Sequence, residues 1–252
     1  MELCNEIAQI DKNIWAFIFC KGGEFVEEKK KYDILTDEKN TLTYNGRVLH
    51  RIIALKDFSD VKKGSIGGFV ESGKNLSQKD DCWIYNDAMV MDDACVYDNA
   101  KVFDQCIVKG HAKLHENAKM SYRAVISENV DVHGSAKIVD RAFLSGYIEV
   151  KDCARIGGFV SLDNFYDIVI DKNAYIFNSM DCITVNYAYY FSHFTLTAFR
   201  CNDGSIRVTT PNFQGSLKDF SIYNFHHIFT DYKGYKQNKY LIKFINSHFK
   251  IH

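Results

Sequence analysis

Proline is nearly absent from this 252-residue chain, which has Pro211 alone, so the sequence contains no Pro-rich linker. No run approaches the roughly 18 apolar residues that a membrane-spanning helix requires. The first residues are acidic, which argues against a signal peptide. The eight cysteines form no Cys-X-X-Cys pair and show no zinc-ligand spacing, so we expect free thiols in the reducing cytoplasm.

An excess of charge of one sign is also missing, because 31 Lys and Arg residues balance 32 Asp and Glu residues. This balance does not predict nucleic-acid binding, although a local patch can still attract a polyanion. Hydrophobic residues make up 46% of the chain, which is enough for one large core or two domains.

A six-residue repeat runs through the middle of the chain. A mostly small residue recurs at every sixth position, and an aliphatic residue or Met follows two positions later. The first set comprises Cys82, Ala88, Ala94, Ala100, Cys106, Ala112, Ala118, Ala124, Val130, Ala136, Ala142, Ile148 and Ala154. The positions between repeats are rich in Asp, Asn, Gly and Ser, which tolerate left-handed backbone. Each repeat therefore predicts a short strand and a corner, with both repeat positions pointing inward.

This pattern resembles the hexapeptide repeat of left-handed parallel β-helices, in which three repeats close one triangular coil. We therefore predict a mainly β fold, a three-sided left-handed β-helix with stacked residues at intervals of eighteen. One outward column is apolar and comprises Met89, Ile107, Val125 and Phe143. Another is a basic ladder of Lys101, Lys119, Lys137 and Arg155, which could track a phosphate backbone or bind an acidic partner. The corner residues Asp98, Glu116 and Asp152 are expected to neutralise it in part, so nucleic-acid binding is not expected.

The flanks of the repeat predict two further units. Residues 1–65 are interpreted as an N-terminal helix and hairpin cap, 66–182 as the β-helix, and 183–252 as a small α+β domain or C-terminal cap. Apolar residues in 2–20 have helical spacing, and 41–56 reads as a hairpin around Asn45-Gly46. The six-residue register slips by two near 163–167. Beyond it we predict a hairpin over 195–210, a helix from Ser216 to about Phe229, and a second helix.

The chain also resembles a family of bacterial and phage-borne hexapeptide-repeat proteins, often labelled acyltransferases, over roughly residues 31–250. The resemblance is carried by Ala54–Gly64, Ile66–Glu71, Asn75–Ser77, Cys82–Ala88, Thr195–Arg200, Asp203-Gly204 and Phe213–Leu217. It implies a left-handed β-helix, and an acyltransferase of this type would use a histidine as general base on an acyl-CoA substrate. His115 and His133, one coil apart, are the candidates for that base.

The same residues allow a metal site as another interpretation. His115, His133 and Asp131 are of types that bind metals, but the sequence does not favour a metal site. The unbroken period from 82 to 156 leaves no room for the long substrate loop of such acyltransferases, which argues against an enzyme.

The sequence therefore favours a non-enzymatic interaction protein without a cofactor, with acyl-CoA-dependent acyltransferase as the alternative. The apolar column Met89/Ile107/Val125/Phe143 is the predicted interface. Its cover is either the flanks of the same chain or another subunit in a dimer or trimer, with a foreign protein partner as a third possibility. If the chain is encoded by a phage, that partner is a host or defence protein in the host cytoplasm.

Overall fold

The computed structural model describes residues 30–189, 192–227 and 232–250. Within these residues the chain is mainly β and contains a parallel β-solenoid of about six turns. A smaller unit of antiparallel strands and two helices follows the solenoid. The helix predicted for residues 2–20 lies outside the described residues.

Most strands of the solenoid are only two residues long, because the chain turns a corner after each of them. The described residues begin with β1 (Tyr32–Leu35), β2 (Thr41–Tyr44), β3 (Arg47–Ala54) and β4 (Ile66–Val70). The solenoid continues through β5 (Trp83–Ile84), β6 (Met89–Val90), β7 (Cys95–Val96), β8 (Lys101–Val102), β9 (Ile107–Val108), β10 (Lys113–Leu114), β11 (Lys119–Met120), β12 (Val125–Ile126), β13 (Asn129–Val132), β14 (Lys137–Ile138), β15 (Phe143–Val150), β16 (Arg155–Ile156), β17 (Ser161–Ile170) and β18 (Tyr175–Ile176). The last unit contains β19 (Cys182–Tyr189), β20 (Ser192–Arg200), β21 (Ile206–Thr210), β22 (Phe213–Ser216), α1 (Leu217–His227) and α2 (Tyr232–Lys250).

Parallel neighbours in the central solenoid are eighteen residues apart, as the sequence period predicts. One series of paired strands is β5, β8, β11, β14, β16 and β18. A second contains β4, β6, β9, β12 and the first half of β15, and a third contains β7, β10, β13 and the second half of β15. Each outward column of side chains therefore runs along the solenoid in register.

Both inward positions of the repeat are buried, as predicted. Ala118 and Met120 are fully buried in one repeat, and Ala124 and Ile126 in the next. They belong to one continuous core that extends from Tyr32 to beyond the last solenoid strand. Burial of these side chains is the main favourable contribution to folding of the solenoid.

The corners explain why the chain is rich in Asp. A residue with positive φ recurs at the corners, for example Asp98 and Glu116, each with φ of 53°. Asp98 Oδ2 accepts a hydrogen bond at 3.1 Å from the backbone N–H of Glu116, one turn later, and Glu116 Oε2 accepts one at 2.9 Å from Gly134 N. Acidic corner residues therefore satisfy backbone donors of the next turn.

The hairpin predicted at 41–56 is confirmed. β2 and β3 pair antiparallel, and Asn45 and Gly46 have φ of 49° and 77°, as a two-residue type I′ turn requires. β3 pairs in turn with β4, so the hairpin is joined to the sheet that carries the apolar column.

A buried lysine that the sequence analysis did not identify lies just before β1. Lys31 is 1% exposed, and its Nζ donates hydrogen bonds to the carbonyl oxygens of Lys79, Asp80 and Cys82 at 2.9, 3.1 and 3.0 Å. Burial lowers the pKa of Lys31. The ammonium group therefore provides hydrogen-bond donors to carbonyl groups of the segment that leads into β5.

The predicted two-residue slip is confirmed inside β17. Gly146 pairs with Asn164, eighteen residues later, whereas Ile148 pairs with Ile168, twenty residues later. The sheet absorbs the extra residues as a bulge, which leaves the inward positions of the last turn buried.

The predicted elements of the last unit are largely confirmed. β20 and β21 form the predicted hairpin, and α2 contains the predicted second helix. Ser216 Oγ accepts a hydrogen bond at 3.1 Å from Asp219 N at the start of α1. The predicted end of this helix near Phe229 lies outside the described residues.

The antiparallel sheet β19–β22 packs against the last turn of the solenoid. Asp171, which is 1% exposed, accepts two hydrogen bonds of 2.9 Å from the Arg207 guanidinium. Thr209 Oγ1 donates to the carbonyl of Val169 at 2.6 Å. Phe199 of β20 is fully buried in the same apolar cluster as the solenoid interior.

Candidate functional site

The apolar column predicted on one outer face exists as a stacked series. Met89, Ile107, Val125 and Phe143 are successive partners in the parallel pairing, and all four are half-buried. The structure therefore brings together the four residues of the predicted interface, whereas their role in binding stays a prediction.

The N-terminal hairpin covers one end of this column. Leu49 of β3 is fully buried in a cluster with Phe69 and Met91, and Met89 and Ile107 pack against that cluster. Part of the apolar column is thus covered by the chain itself, which was one of the alternatives left open by the sequence.

A groove of about 710 Å³ remains between the hairpin and the column. Its apolar lining consists of Leu42 on the hairpin and Phe69, Met89, Ile107 and Val125 on the solenoid. Its polar lining consists of Asp87, Gln105 and Arg123. We refer to these eight residues as the apolar groove.

The two candidate catalytic histidines are stacked on each other. The rings of His115 and His133 are 5.0 Å apart, and Tyr97 stacks on His115 at 4.6 Å. His115 Nε2 lies 2.9 Å from Asp131 Oδ1, and His133 Nε2 lies 3.0 Å from Glu149 Oε1. Each imidazole is therefore held against a carboxylate on the neighbouring turn.

The second nitrogen of each ring faces a corner carboxylate. His115 Nδ1 is 3.9 Å from Asp98 Oδ2, and His133 Nδ1 is 3.9 Å from Glu116 Oε1. Each ring thus lies between two carboxylates, an arrangement that suits an ion-pair ladder as well as an oriented base.

The carboxylate of Glu149 has a second donor. Burial raises the pKa of Glu149, but hydrogen bonds from His133 and Lys151 outweigh burial and lower it below its ordinary value. Among the described residues, no group of three or more His, Cys, Asp or Glu side chains is arranged to hold a metal ion.

The basic ladder is stacked in register, but its members differ in their partners. Lys101 Nζ forms an ion pair with Asp60, and this hydrogen bond holds the pKa of the Asp60 carboxyl well below its usual range. Within the described residues, Lys119, Lys137 and Arg155 form no ion pair within 4.0 Å.

A second groove, of about 660 Å³, lies along the corner that follows the basic ladder and was not predicted from the sequence. Tyr122 and Phe159 line it and are 61% and 80% exposed. The guanidinium carbon of Arg141 lies 5.4 Å from the Phe159 ring centroid, and Arg123 Nε donates to Gln105 Oε1 at 2.9 Å. The corner residues that line this groove also recur at intervals of eighteen. Comparing corner positions at that interval would have predicted the groove, just as comparing strand positions predicted the apolar column and the basic ladder.

Comparisons with known proteins add no assignment. No protein-family model matches the chain, and none of the curated proteins matches it. Neither helix in the described part of the chain is both long and apolar enough to cross a lipid bilayer. The surfaces described above therefore have to carry the functional argument.

Proposed function

We propose that this chain is a non-enzymatic interaction protein that binds another protein in its apolar groove. The observation that carries the proposal is the make-up of that groove. Met89, Ile107 and Val125 form an apolar floor, and Asp87 and Arg123 lie among its polar lining. Apolar centres with polar rims are typical of protein interfaces, and uncovered apolar patches mark such sites.

The floor of the groove is held in place before any partner binds. Ile107 pairs with Met89 on one side and with Val125 on the other, and Val108 and Ile126 anchor the same strands in the core. A preformed floor reduces the ordering cost of association. Met89 adds a flexible side chain that adapts to the surface of a partner.

The partner that we propose is a host or defence protein in the cytoplasm, because the family that the chain resembles includes phage-borne as well as bacterial proteins. An apolar segment of that partner would enter the groove beside Leu42 and Val125. Self-association as a dimer or trimer through the same surface is the competing occupant, and the experiment below separates the two.

We also infer that the solenoid is a three-sided left-handed β-helix of the hexapeptide-repeat type, with caps at both ends. Three series of strands and a repeat of eighteen residues per turn support three sides. Positive φ at the corner residues, as at Asp98 and Asp104, is in keeping with the tight corners of such a helix. β3 and Phe199, which contact opposite ends of the solenoid, are the proposed capping contacts.

An acyl-CoA-dependent acyltransferase is the second candidate. It is favoured by the contacts of His115 with Asp131 and of His133 with Glu149, because a carboxylate commonly orients a histidine base. A thermal-shift assay with CoA, repeated on His115→Ala and His133→Ala, tests it. Stabilisation by CoA that both substitutions abolish would favour the enzyme over the interaction protein.

The interaction proposal is tested with a photo-crosslinking amino acid at position 125 in host cells. Crosslinked partners are identified by mass spectrometry, and the purified partner is titrated against the wild type and Val125→Asp. We expect the substitution to weaken binding at least about tenfold, as for a residue at the centre of an interface. Val48→Asp is the matched control, because Val48 is 49% exposed on the hairpin and does not line the groove.

Two outcomes would contradict the proposal. Crosslinks between two copies of the chain alone would assign the groove to self-association. Equal binding of a partner by the wild type and Val125→Asp would place the interface elsewhere on the molecule.

A further inference from the structure

Five cationic side chains lie together on one part of the solenoid surface and have no ionic partner in the part of the chain that the structure describes. Lys119, Lys137 and Arg155 belong to the basic ladder, and Arg123 and Arg141 lie on the corner that follows it. Within the described residues none of the five forms an ion pair within 4.0 Å. We refer to these five residues as the basic face.

Several other cations of the solenoid are paired, although Lys109 and Lys113 also form no ion pair within 4.0 Å among the described residues. Lys151 lies 3.1 Å from Glu149, and Lys172 lies 3.7 Å from Asp152. Lys101, the first member of the ladder, is paired with Asp60. The basic face differs from Lys109 and Lys113 because its five cations lie close together, on the later turns of one ladder and on the corner that follows it.

Two carboxylates that line the corner groove, those of Asp104 and Asp140, accept hydrogen bonds from the backbone. Asp104 Oδ2 accepts a hydrogen bond at 2.8 Å from Tyr122 N, and Asp140 Oδ2 accepts one at 2.9 Å from Gly158 N. These carboxylates still reduce the local potential, but among the described residues they form no ion pair with the guanidinium group of Arg123 or Arg141 within 4.0 Å.

The corner carboxylates on the other side of the ladder are bound in the same way. Asp98 and Glu116 accept from backbone N–H groups one turn later, and Asp152 Oδ2 accepts from Lys172 N at 3.0 Å. From the sequence, these three residues were expected to neutralise part of the positive charge of the basic ladder. They instead hold the corners together and form no ion pair with Lys119, Lys137 or Arg155 within 4.0 Å.

Two exposed aromatic rings lie beside these charges. Tyr122 and Phe159 are 61% and 80% exposed, and both line the corner groove. Lys119 and Tyr122 are three residues apart on one turn, as are Lys137 and Asp140, so the ladder and the corner are roughly 10 Å apart. A nucleotide that placed its phosphate on the ladder would extend its base toward the corner rings.

We propose that the basic face, with Tyr122 and Phe159, binds single-stranded nucleic acid. Proteins that bind single strands combine a row of cations for the phosphates with aromatic rings on which bases stack. A duplex fits these rings less well, because its bases are paired with each other. An acidic protein surface would use the cations but would gain little from the two rings.

This activity is separate from the proposed protein interaction. The apolar groove and the basic face share only Arg123, so the test uses other residues. Loss of nucleic-acid binding in the variants below, with protein binding in the apolar groove unchanged, would show that the two surfaces act independently.

The test measures the fluorescence anisotropy of labelled oligothymidylate and oligouridylate of about 12 nucleotides against the full chain. For five contacts, the slope of log affinity against log salt is expected to be about −3.5, from roughly −0.7 per contact with a single strand. The Lys137→Gln/Arg155→Gln variant should weaken binding about tenfold or more at low salt and bring the slope to about −2.

Phe159→Ala separates stacking from charge. It should weaken binding about fivefold or more, because it removes one stacking ring, and it should leave the salt slope unchanged. Lys113→Gln is the control, since Lys113 is an exposed strand residue that belongs to another column of the solenoid. Circular dichroism of each variant confirms that the fold is retained.

Three results would overturn the proposal. The first is the absence of saturable binding of either oligonucleotide at low salt. The second is binding of a duplex as tight as that of the single strand. The third is equal competition by polyglutamate together with no effect of Phe159→Ala, which would assign the basic face to an acidic protein.

Discussion

The solenoid and the C-terminal unit bury their apolar residues in different ways. In the solenoid, Val108, Ile126 and Leu144 are stacked neighbours because they are eighteen residues apart. In the C-terminal unit, the buried cluster draws on distant elements and includes Leu196, Val208, Phe220 and Ile245. The periodic core of the solenoid is therefore specified by local spacing, whereas the core of the C-terminal unit depends on contacts between distant segments of the chain.

The same contrast extends to the surface. Side chains on the solenoid form columns with one neighbour per turn, so a chemical property that recurs in sequence becomes a continuous stripe. The apolar column and the basic ladder both arise in this way. The C-terminal unit offers no such repetition, and its exposed residues Ile222 and Phe244 lie on two different helices.

The largest effect is expected where the two regions meet. Arg207→Leu removes the partner of Asp171, which is 1% exposed, and leaves a buried carboxylate without its counter-charge. We expect a loss of about 3–5 kcal/mol in the free energy of unfolding, measured by urea denaturation. The Asp171→Leu/Arg207→Leu double variant should recover much of this loss, because it removes both charges. A single variant within about 1 kcal/mol of the wild type would contradict this account of the junction.

Truncation of one buried side chain in each core tests how far each region unfolds. Leu144→Ala and Ile245→Ala should each cost about 2–4 kcal/mol, because both side chains are fully buried. In hydrogen-exchange mass spectrometry, Leu144→Ala should speed exchange in the turns that contain its neighbours Ile126 and Leu162. Ile245→Ala should act mainly on β20, β21 and the helices. Identical exchange patterns for the two variants would mean that the regions form one cooperative unit.

Two glycines give a smaller, matched test of corner geometry. Gly110 has φ of 66°, and a Cβ added there would lie 2.7 Å from the backbone nitrogen of Glu128 on the next turn. Gly204 in the turn between β20 and β21 has φ of 80° and open space around it. Gly110→Ala should therefore cost about 2–3 kcal/mol and Gly204→Ala about 1 kcal/mol by thermal denaturation. Equal costs would show that adjacent turns of the solenoid are not in close contact at this corner.

The smallest effect concerns pH. Hydrogen bonds from His133 and Lys151 lower the folded-state pKa of Glu149 below its ordinary value of 4.5. The resulting stabilisation is complete above about pH 4.5 and is lost as the pH falls through the folded-state pKa. The melting temperature of the wild type should therefore exceed that of Glu149→Gln at neutral pH, with a difference that shrinks on acidification. If the difference in melting temperature did not change with pH, the charge of Glu149 would not contribute to stability.

Much of the solenoid was predictable because its information is periodic. The inward positions, the stacking of the apolar column and the two-residue slip near 163–167 were all expected from spacing. The C-terminal hairpin and the start of α1 were predicted from turn and capping residues, and α2 from the spacing of apolar residues, all of which are local signals. β22 was not foreseen, because it depends on pairing with β21 rather than on a local pattern.

The candidate sites were predictable only in part. Spacing in the sequence shows which side chains stack on each other, but it does not show which side chains form ion pairs or hydrogen bonds with them. The sequence places Lys101 and Lys119 in one ladder, yet only the fold brings Asp60 to Lys101 and leaves Lys119 unpaired. Buried Lys31 meets the carbonyl of Cys82, 51 positions later, which no spacing rule anticipates. Cover of the apolar column by Leu49 likewise depends on how the hairpin folds back.

The stacking of turns eighteen residues apart is tested most directly by methyl NOE spectroscopy on protein labelled at Ile, Leu and Val methyl groups. The account predicts NOEs that connect Val108 with Ile126 and Ile126 with Leu144, and others after the slip that connect Ile148 with Ile168. Absence of these contacts, or a uniform spacing on both sides of Gly146, would contradict the register on which every surface described here depends.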